Sequence, residues 1–285
     1  MRMPGVSRLA ASHSVSTRTS GWEYSANLGF MFGGVNVPVR LVDSTSKSLL
    51  AGTRRAPFIL AMIHQAFECG SVPPETMDRL WAAGWRHFGP RFFRYSLDMM
   101  DDRPVTITPL RLDLEKFTPS KSHRRVLRRN ADTRCEFLKA SLSPEARAMF
   151  HAHKARFKTN IPDDLGDFLS PEPAIVPCTC LECRVWIGDE LAAISFLDIG
   201  ATATSAVYGM FDPARSRRSL GMLTMLREIE HSRALGRRFY YPGYATLEPG
   251  PYDYKKQFAG LSRLVWESGE WLPLPGDLSM PSNAA

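Results

Sequence analysis

The chain has 285 residues, of which 44% are hydrophobic and 11% aromatic, and this composition excludes wholesale disorder. The net charge of +7 favours an acidic partner, most simply a nucleic acid. No apolar run approaches the roughly 18 residues of a membrane span. The five cysteines, an odd number with no secretory segment upstream, indicate reduced thiols. We therefore expect a cytoplasmic globular protein that does not bind membranes.

The first 55 residues show no sustained periodicity, and we treat residues 1–55 as a poorly defined N-terminal extension. Residues 1–20 carry three arginines, many serines and no acid, which is the composition of a disordered extension or of a mitochondrial transit peptide. Residues 30–42 are interpreted as one strand with a glycine turn. Residues 273–285, rich in proline, serine and small residues, are expected to form a loose tail.

After residue 56 the hydrophobic periodicity predicts individual helices and strands. Residues 75–83 are helix-like and end at Gly84, which is a typical helix stop. Three leucines alternate with polar residues over 110–115, as expected for a half-exposed strand. A further helix begins at Ser143 and continues to Phe157. We expect a smaller α+β domain over residues 56–140 and a second domain over 141–272.

The densest positive charge lies in residues 119–134. If this stretch is helical, Arg124 and Arg128 lie one turn apart, and so do Arg125 and Arg129. Like charges this close repel each other, and the cost is easiest to explain if phosphates are the counterions. The alternative is a solvated helix face relieved by scattered acids such as Asp132.

Residues 183–258 contain the clearest α/β pattern. Strand-like runs over 191–198 and 204–211 precede a basic loop, a helix that ends near Gly236 and an aromatic strand from Phe239. This order predicts an acetyltransferase-like unit. Ser219 is the predicted N-cap of the helix, and the free N–H groups beside Arg217 and Arg218 form a candidate phosphate cradle. The alternative is an ordinary strand–helix turn with solvated arginines.

Metal-binding patterns are weak. The thiols of Cys178, Cys180 and Cys183 could bind zinc, but a fourth ligand is missing nearby, so structural thiols are the favoured interpretation. His87 and His231 are isolated in the sequence and are interpreted as ordinary surface or core histidines. We predict no metal site.

Seven segments, taken together, give the chain a family resemblance, and their order and spacing fit from about residue 75 to residue 272. They are residues 83–89 (AGWRHFG), 117–120 (FTPS), 122–130 (SHRRVLRRN), 205–208 (SAVY), 219–221 (SLG), 240–244 (YYPGY) and 254–255 (YK). In these segments the chain resembles the arginyl-tRNA–protein transferases, including the bacterial leucyl-transferring branch. It departs from them in lacking the N-terminal cysteine cluster that holds a metal or iron–sulfur centre, and Cys69 alone cannot replace it.

The resemblance implies a GNAT-like acyltransferase domain, so that the fold class is α/β or α+β. It implies an aminoacyltransferase that moves Arg or Leu from a charged tRNA to a free amine, most simply a protein or peptide N-terminus. The aminoacyl-tRNA is then a co-substrate, and no cofactor is expected. The residues implied at the transfer site are Asp198, Ser205, Tyr208, Tyr244, Tyr254 and Lys255. The residues expected to bind tRNA are Arg124, Arg125, Arg128, Arg129, Arg217 and Arg218.

Two other functions stay open at this point. One is an acyl-CoA-dependent N-acyltransferase, because residues 218–223 nearly match the R-x-x-G-x-G/A loop of such enzymes. Leu223 occupies the final position of that motif, where a small residue is expected, and this counts against coenzyme A. The other is a catalytically silent, tRNA-binding homologue, which the missing cysteines would explain.

Overall fold

The computed structural model describes residues 62–100, 102–157 and 161–274, and it also describes the backbone of four short strands before residue 62. These four strands form two antiparallel pairs. They are β1 (Ser25–Asn27), β2 (Phe30–Phe32), β3 (Val35–Val37) and β4 (Arg40–Val42). The expectations for residues 1–20 and for the tail beyond residue 274 lie outside the described residues. Over the described part of the chain, no helix has the length and apolar character needed to cross a membrane.

A mixed sheet of nine strands forms the centre of the described fold. Its main path runs in the spatial order β10, β11, β12, β13, β14, β9, β15, β16, and β8 pairs with β9. These strands are β8 (Leu97–Met100), β9 (Arg103–Asp113), β10 (Thr133–Lys139), β11 (Cys180–Ile187), β12 (Glu190–Ile199), β13 (Ala203–Phe211), β14 (Phe239–Thr246), β15 (Leu261–Leu264) and β16 (Trp271–Pro273). The mixed α+β class predicted from the sequence is confirmed.

A smaller three-stranded sheet lies on the N-terminal side. It consists of β5 (His64–Glu68), β7 (Arg91–Tyr95) and β6 (Arg86–Phe88), in that order. Helix α1 (Pro74–Ala82) precedes β6, and the predicted stop at Gly84 has a left-handed φ of 84°. An alanine Cβ at position 84 would lie 2.7 Å from the ring of Trp266, so the position also needs glycine for space.

The part of the sheet that positions the site is the junction of β13 with β14. Strands β11, β12 and β13 run antiparallel in sequence order, and α4 (Leu220–Ala234) then carries the chain back so that β14 lies parallel to β13. The two strands pair only over residues 203–205 and 239–241. Along its other edge β14 pairs with β9 from Phe239 to Thr246, with an irregularity between Tyr240 and Gly243, whereas its pairing with β13 ends at Tyr241. The strands therefore diverge and leave a wedge, which we call the β13–β14 wedge.

Helix α4 closes one face of the sheet through its predicted apolar stripe. Leu220, Leu223, Leu226 and Ile229 are all buried, as the three-residue spacing indicates. The helix is followed by Gly236 with a φ of 68°, which confirms the predicted helix stop. Ser219 occupies the predicted N-cap position, but it has a left-handed φ of 56° and the predicted cap hydrogen bond of its side chain is not formed. Its carbonyl instead accepts the first helical bonds, from Met222 and Leu223.

The predicted basic helix is α2 (Lys121–Arg129), and it packs against α4. Ser120 and His123 form a reciprocal capping box, in which His123 N–H donates to Ser120 Oγ and Ser120 N–H donates to His123 Nδ1. Helix α3 (Pro144–Lys154) begins after the cap at Ser143, as predicted, and packs with β12 and β13 on the opposite face of the sheet.

Candidate active site

The β13–β14 wedge gathers side chains from parts of the chain that are far apart in sequence. Ser205 lies on β13 at the last paired position, directly opposite Asp198 of β12. Residues that face each other in an antiparallel pair point to the same side of the sheet, so Ser205 and Asp198 share one face. Arg86 of β6 reaches this face and donates a hydrogen bond of 2.7 Å from Nη1 to Ser205 Oγ.

Arg86 is the least expected residue of the site. It is only 7% exposed, and no carboxylate among the described residues lies within ion-pair distance of its guanidinium. It lies over the rings of Tyr241 and Tyr244, at 5.3 and 5.9 Å from their centroids. Nη2 makes one long bond of 3.5 Å to the Leu110 carbonyl, and Nε–H is buried without a partner. Burial lowers the pKa of Arg86 from its ordinary value, so the fold bears the cost of a desolvated cation.

Lys255 brings a second cation to the same place. It lies in a 3-10 turn (Asp253–Gln257) that follows β14, and its Nζ donates to the Tyr244 carbonyl at 3.3 Å. Burial, and then the positive charge of Arg86, lower the pKa of Lys255 to about 8. A Cβ added at Gly243 would lie 3.1 Å from this Nζ, so the glycine, with its φ of 103°, leaves room for the ammonium group.

The hydroxyl groups of the three predicted tyrosines differ in whether they are free to hydrogen-bond to a substrate. Tyr244 already donates its hydroxyl to the Gly84 carbonyl at 2.6 Å. Tyr254 is 42% exposed, and burial of its hydroxyl end raises its pKa to about 12. The Tyr208 hydroxyl is buried and has no partner among the described residues, and burial raises its pKa to about 12 as well. Tyr254 and Tyr208 therefore remain neutral at physiological pH and can donate a hydrogen bond.

A chain of aromatic rings connects the two strands of the wedge. A register shift opposite Phe196 and Leu197 returns Tyr208 to the face that Ser205 occupies. Tyr208 stacks on Phe168 at 4.1 Å between centroids, and Phe168 contacts Phe88 edge-on at 5.0 Å. Phe88 contacts Phe93 at 5.0 Å, and Phe93 reaches Tyr244 at 6.3 Å. This aromatic wall can receive an apolar side chain.

Asp198 does not face a free space, because its carboxylate is already bonded. His87 Nε2 lies 2.7 Å from Asp198 Oδ2, and His87 Nδ1 lies 3.0 Å from the Gly89 carbonyl. Of the two roles expected from the sequence, surface or core, His87 therefore has the core one. Cys178 joins this pair, and His87, Cys178 and Asp198 are the single group of potential metal ligands within the described residues. Burial, and then Asp198, raise the pKa of the Cys178 thiol well above its ordinary value.

A second buried carboxyl lies behind the wedge. Tyr240, the residue before Tyr241 on β14, donates its hydroxyl to Glu228 Oε2 at 2.6 Å. Glu228 is fully buried on α4, and desolvation raises its pKa to about 7. Thr224, Glu228 and Ser232 follow each other at four-residue intervals and are all buried. This polar ridge beside the apolar stripe is the sequence signal that could have identified Glu228.

The predicted tRNA-binding arginines lie on α2 and on the segment before α4, and the two segments contact each other through Arg129. The four arginines of α2 are exposed, and none of them pairs with a carboxylate among the residues that the structure describes. Arg129 donates to the Arg217 carbonyl at 2.5 Å, and Arg218 donates to the Arg129 carbonyl at 3.0 Å. Asp132 pairs with Arg218 rather than with an arginine of α2. The solvated-face alternative requires nearby carboxylates that reduce the repulsion between the arginines of α2, and the described residues supply none at ion-pair distance.

Helix α2 is also tied to the Lys255 turn. His123, at the start of the helix, stacks on Phe258 with a centroid distance of 4.8 Å. Phe258 lies three residues after Lys255, at the end of the 3-10 turn. Helix α2, which carries the four arginines, is thus connected to the β13–β14 wedge through the contact between His123 and Phe258.

The family's cysteine-bound centre does not fit this chain. Within residues 62–100 the described structure contains one cysteine, Cys69, whose thiol donates to the Ser71 carbonyl at 3.3 Å. Cys178, Cys180 and Cys183 are free and buried at the start of β11 and just before it. A single thiol in the N-terminal region cannot hold the cluster.

Comparison with known proteins identifies the family. Residues 137–265 match the family described as "Arginine-tRNA-protein transferase, C terminus". An aspartate/glutamate leucyltransferase from Thiobacillus denitrificans is 30% identical over 198 residues, which are 67% of this chain and 78% of that protein. One of the same name from Marinobacter nauticus is 26% identical over 72% of this chain and 85% of its own length. The C-terminal domain (DUF2156) of an Agrobacterium fabrum protein superposes with a TM-score of 0.41 and 16% identity, over 64% of this chain and 55% of that one. The chain belongs to the arginine-tRNA–protein transferase family and is an aminoacyltransferase.

Proposed function

We propose that this enzyme transfers a leucyl group from charged tRNA to the α-amine of a protein or peptide whose first residue is aspartate or glutamate. The relatives named above are aspartate/glutamate leucyltransferases, and their name supplies the donor and the acceptor. The proposal includes an acetyltransferase-like (GNAT-like) unit, in which the reacting groups meet at the diverging parallel strands β13 and β14. No cofactor takes part, and the aminoacyl-tRNA is the co-substrate.

The observation that carries the proposal is the buried guanidinium of Arg86, beside which Lys255 is half-buried. A desolvated arginine without a carboxylate is costly, and in this chain the edge of Arg86 formed by Nε and Nη2 has one unpaired donor and one long bond. That edge matches the two oxygens of a carboxylate. We assign it to the side chain of the acceptor's first residue, whose negative charge would neutralise Arg86 and leave Lys255 available for proton transfer.

The donor side chain is assigned to the aromatic wall from Tyr208 to Tyr244. An arginyl side chain would need a carboxylate partner there, but Asp198 is already bonded to His87. A leucyl side chain needs only apolar contact. This difference favours Leu over Arg as the donor.

The chemistry is the aminolysis of an ester. The acceptor nitrogen attacks the aminoacyl carbonyl carbon, a C–N bond forms, and the C–O bond to the terminal ribose breaks. The amine loses a proton and the ribose oxygen gains one. Lys255 can perform both transfers, because with its lowered pKa a fraction of it is neutral near neutral pH. We assign Tyr254, which remains protonated, as a hydrogen-bond donor to the oxyanion, and we assign the arginines of α2 with Arg217 and Arg218 to the tRNA backbone.

The donor test compares leucyl-tRNA with arginyl-tRNA, each labelled in the amino acid, using one peptide that begins with Asp. We expect label from leucyl-tRNA on the peptide and little from arginyl-tRNA. Tyr208→Ala should raise KM for leucyl-tRNA, whereas Trp186→Ala, a change on β11 at a residue that donates to Glu136, should change it less. Binding of leucyl-tRNA without transfer to any peptide would contradict the proposed function.

A further inference from the structure

Beneath the candidate active site, three different metal-binding side chains converge. His87 comes from β6, Cys178 from the loop before β11, and Asp198 from β12, and they are 6%, 5% and 1% exposed. One ligand atom of each lies within 4.8 Å of the other two. The closest pair is His87 Nε2 and Asp198 Oδ2, at 2.7 Å.

The ligand types select a class of ion. A thiolate together with an imidazole favours zinc and its neighbours among the transition metals, whereas magnesium and calcium prefer oxygen ligands alone. A thiolate and a carboxylate together carry two negative charges, so a divalent ion would leave this buried site neutral. A neutral site is the arrangement that a dry interior tolerates best.

The orientation of His87 also suits a ligand. Its Nδ1 faces the Gly89 carbonyl at 3.0 Å, which directs Nε2 toward Asp198 and Cys178. In protein metal sites the ligating histidine is commonly held by such a hydrogen bond from its other ring nitrogen to a backbone carbonyl. The ring of His87 also packs against Phe92, with 5.0 Å between centroids, so its position is fixed from a second direction.

We propose that His87, Cys178 and Asp198 form a binding site for one divalent transition-metal ion of the zinc type. Binding exchanges protons for the ion, because the Cys178 thiol loses its proton and the proton between His87 and Asp198 leaves as well. Tetrahedral ligand atoms around zinc lie roughly 3.3 Å apart, so His87 Nε2 and Asp198 Oδ2 separate by a fraction of an ångström. Water or a displaced side chain fills the fourth position.

The site has a consequence for the neighbouring residues. Arg86 precedes His87 on β6, and Ser205 lies opposite Asp198 on the neighbouring strand. An ion here would fasten β6 to the large sheet directly beside the hydrogen bond from Arg86 to Ser205. It would stabilise the position of Arg86 without contacting substrate, and it does not depend on the proposed transfer reaction.

The test is a titration of the untagged, metal-stripped protein with Co²⁺, followed by absorption spectroscopy. We expect a thiolate-to-cobalt charge-transfer band and the intense visible bands of tetrahedral cobalt, both saturating at about one equivalent and removed by added Zn²⁺. Cys178→Ser should abolish the charge-transfer band. Cys135→Ser, which changes a half-buried thiol on β10, should retain it.

Near-UV circular dichroism of each variant shows whether it is folded. The titration of wild-type protein alone already shows whether cobalt binds through a thiolate. Asp198→Asn provides a second variant, which keeps the side-chain shape and should weaken cobalt binding at least tenfold. The proposal is overturned if folded wild-type protein gives no charge-transfer band. It is equally overturned if the band persists in Cys178→Ser. In either case His87 and Asp198 are a hydrogen-bonded structural pair.

Discussion

Glu228 offers the sharpest quantitative prediction. Its carboxyl group is fully buried on α4 and accepts a hydrogen bond from Tyr240. Desolvation raises its pKa from 4.5 to about 7. Between these pH values the folded protein holds a proton that the unfolded chain has released, so the free energy of unfolding falls as pH rises through this window. The difference of about 2.5 pH units corresponds to roughly 3 kcal/mol, and above pH 7 the loss is constant.

Glu228→Gln has nearly the same shape and no charge at any pH, so it removes this loss. Relative to wild type, the variant should gain up to about 3 kcal/mol in the free energy of unfolding between pH 4.5 and pH 8. The measurement is urea unfolding of both proteins at the two pH values. Glu230→Gln, an exposed change on the same helix, serves as the control. Because it keeps Glu228, its free energy of unfolding should fall with rising pH by the same amount as that of wild type. An equal difference between Glu228→Gln and wild type at both pH values would refute the reasoning.

Three further predictions concern the site and its frame. The transfer rate of wild type should rise with pH through about 8, the pKa of Lys255, and Lys255→Met should lose this rise together with about 10²- to 10⁴-fold of the rate. Arg125→Glu combined with Arg128→Glu should raise KM for leucyl-tRNA and flatten its salt dependence, with kcat at saturating tRNA nearly unchanged. Gly84→Ala, whose new Cβ would clash with an indole ring, should cost about 1–3 kcal/mol of stability in urea unfolding, and Gly188→Ala, in open space, should cost less.

Each of these has a contrary outcome. A pH profile of Lys255→Met that parallels wild type would remove Lys255 from proton transfer. An unchanged KM in the double arginine variant, with an unchanged salt slope, would show that tRNA binds elsewhere. Equal stability of the Gly84→Ala and Gly188→Ala variants would mean that the space around Gly84 relaxes freely.

The parts of the fold that follow from local patterns were predictable. The apolar stripe of α4, the helix stop at Gly236 and the order of strands around it depend on residue spacing within one segment. The basic helix α2 was predictable for the same reason, because its arginines repeat at helical spacing. The family resemblance added the tyrosines and Lys255, which spacing alone could not have assigned.

The parts that depend on distant contacts were not predictable. Arg86 and Ser205 are 119 residues apart, and their hydrogen bond exists only because β6 packs against β13. His87 and Asp198 are similarly separated, by 111 residues, so a histidine that is isolated in the sequence becomes part of a buried cluster. Ser219 is a residue type that favours the N-cap, and it occupies that position. The 3-10 turn before it (Pro213–Arg218) leaves it in the left-handed conformation, and its side chain makes no cap hydrogen bond. Local preference was overridden by the connection.

The most direct test of the account uses two peptides that differ only in their first residue, Asp or Asn, with leucyl-tRNA as donor. Wild type should leucylate the Asp peptide at least tenfold faster, because the unpaired edge of Arg86 pairs with the negative charge. Arg86→Met should lose most of this preference, and Arg134→Met, a remote arginine that packs on Trp186, should keep it. Equal rates for the two peptides in wild type, or an unchanged preference in Arg86→Met, would contradict the assignment of Arg86 as the group that binds the acceptor's carboxylate.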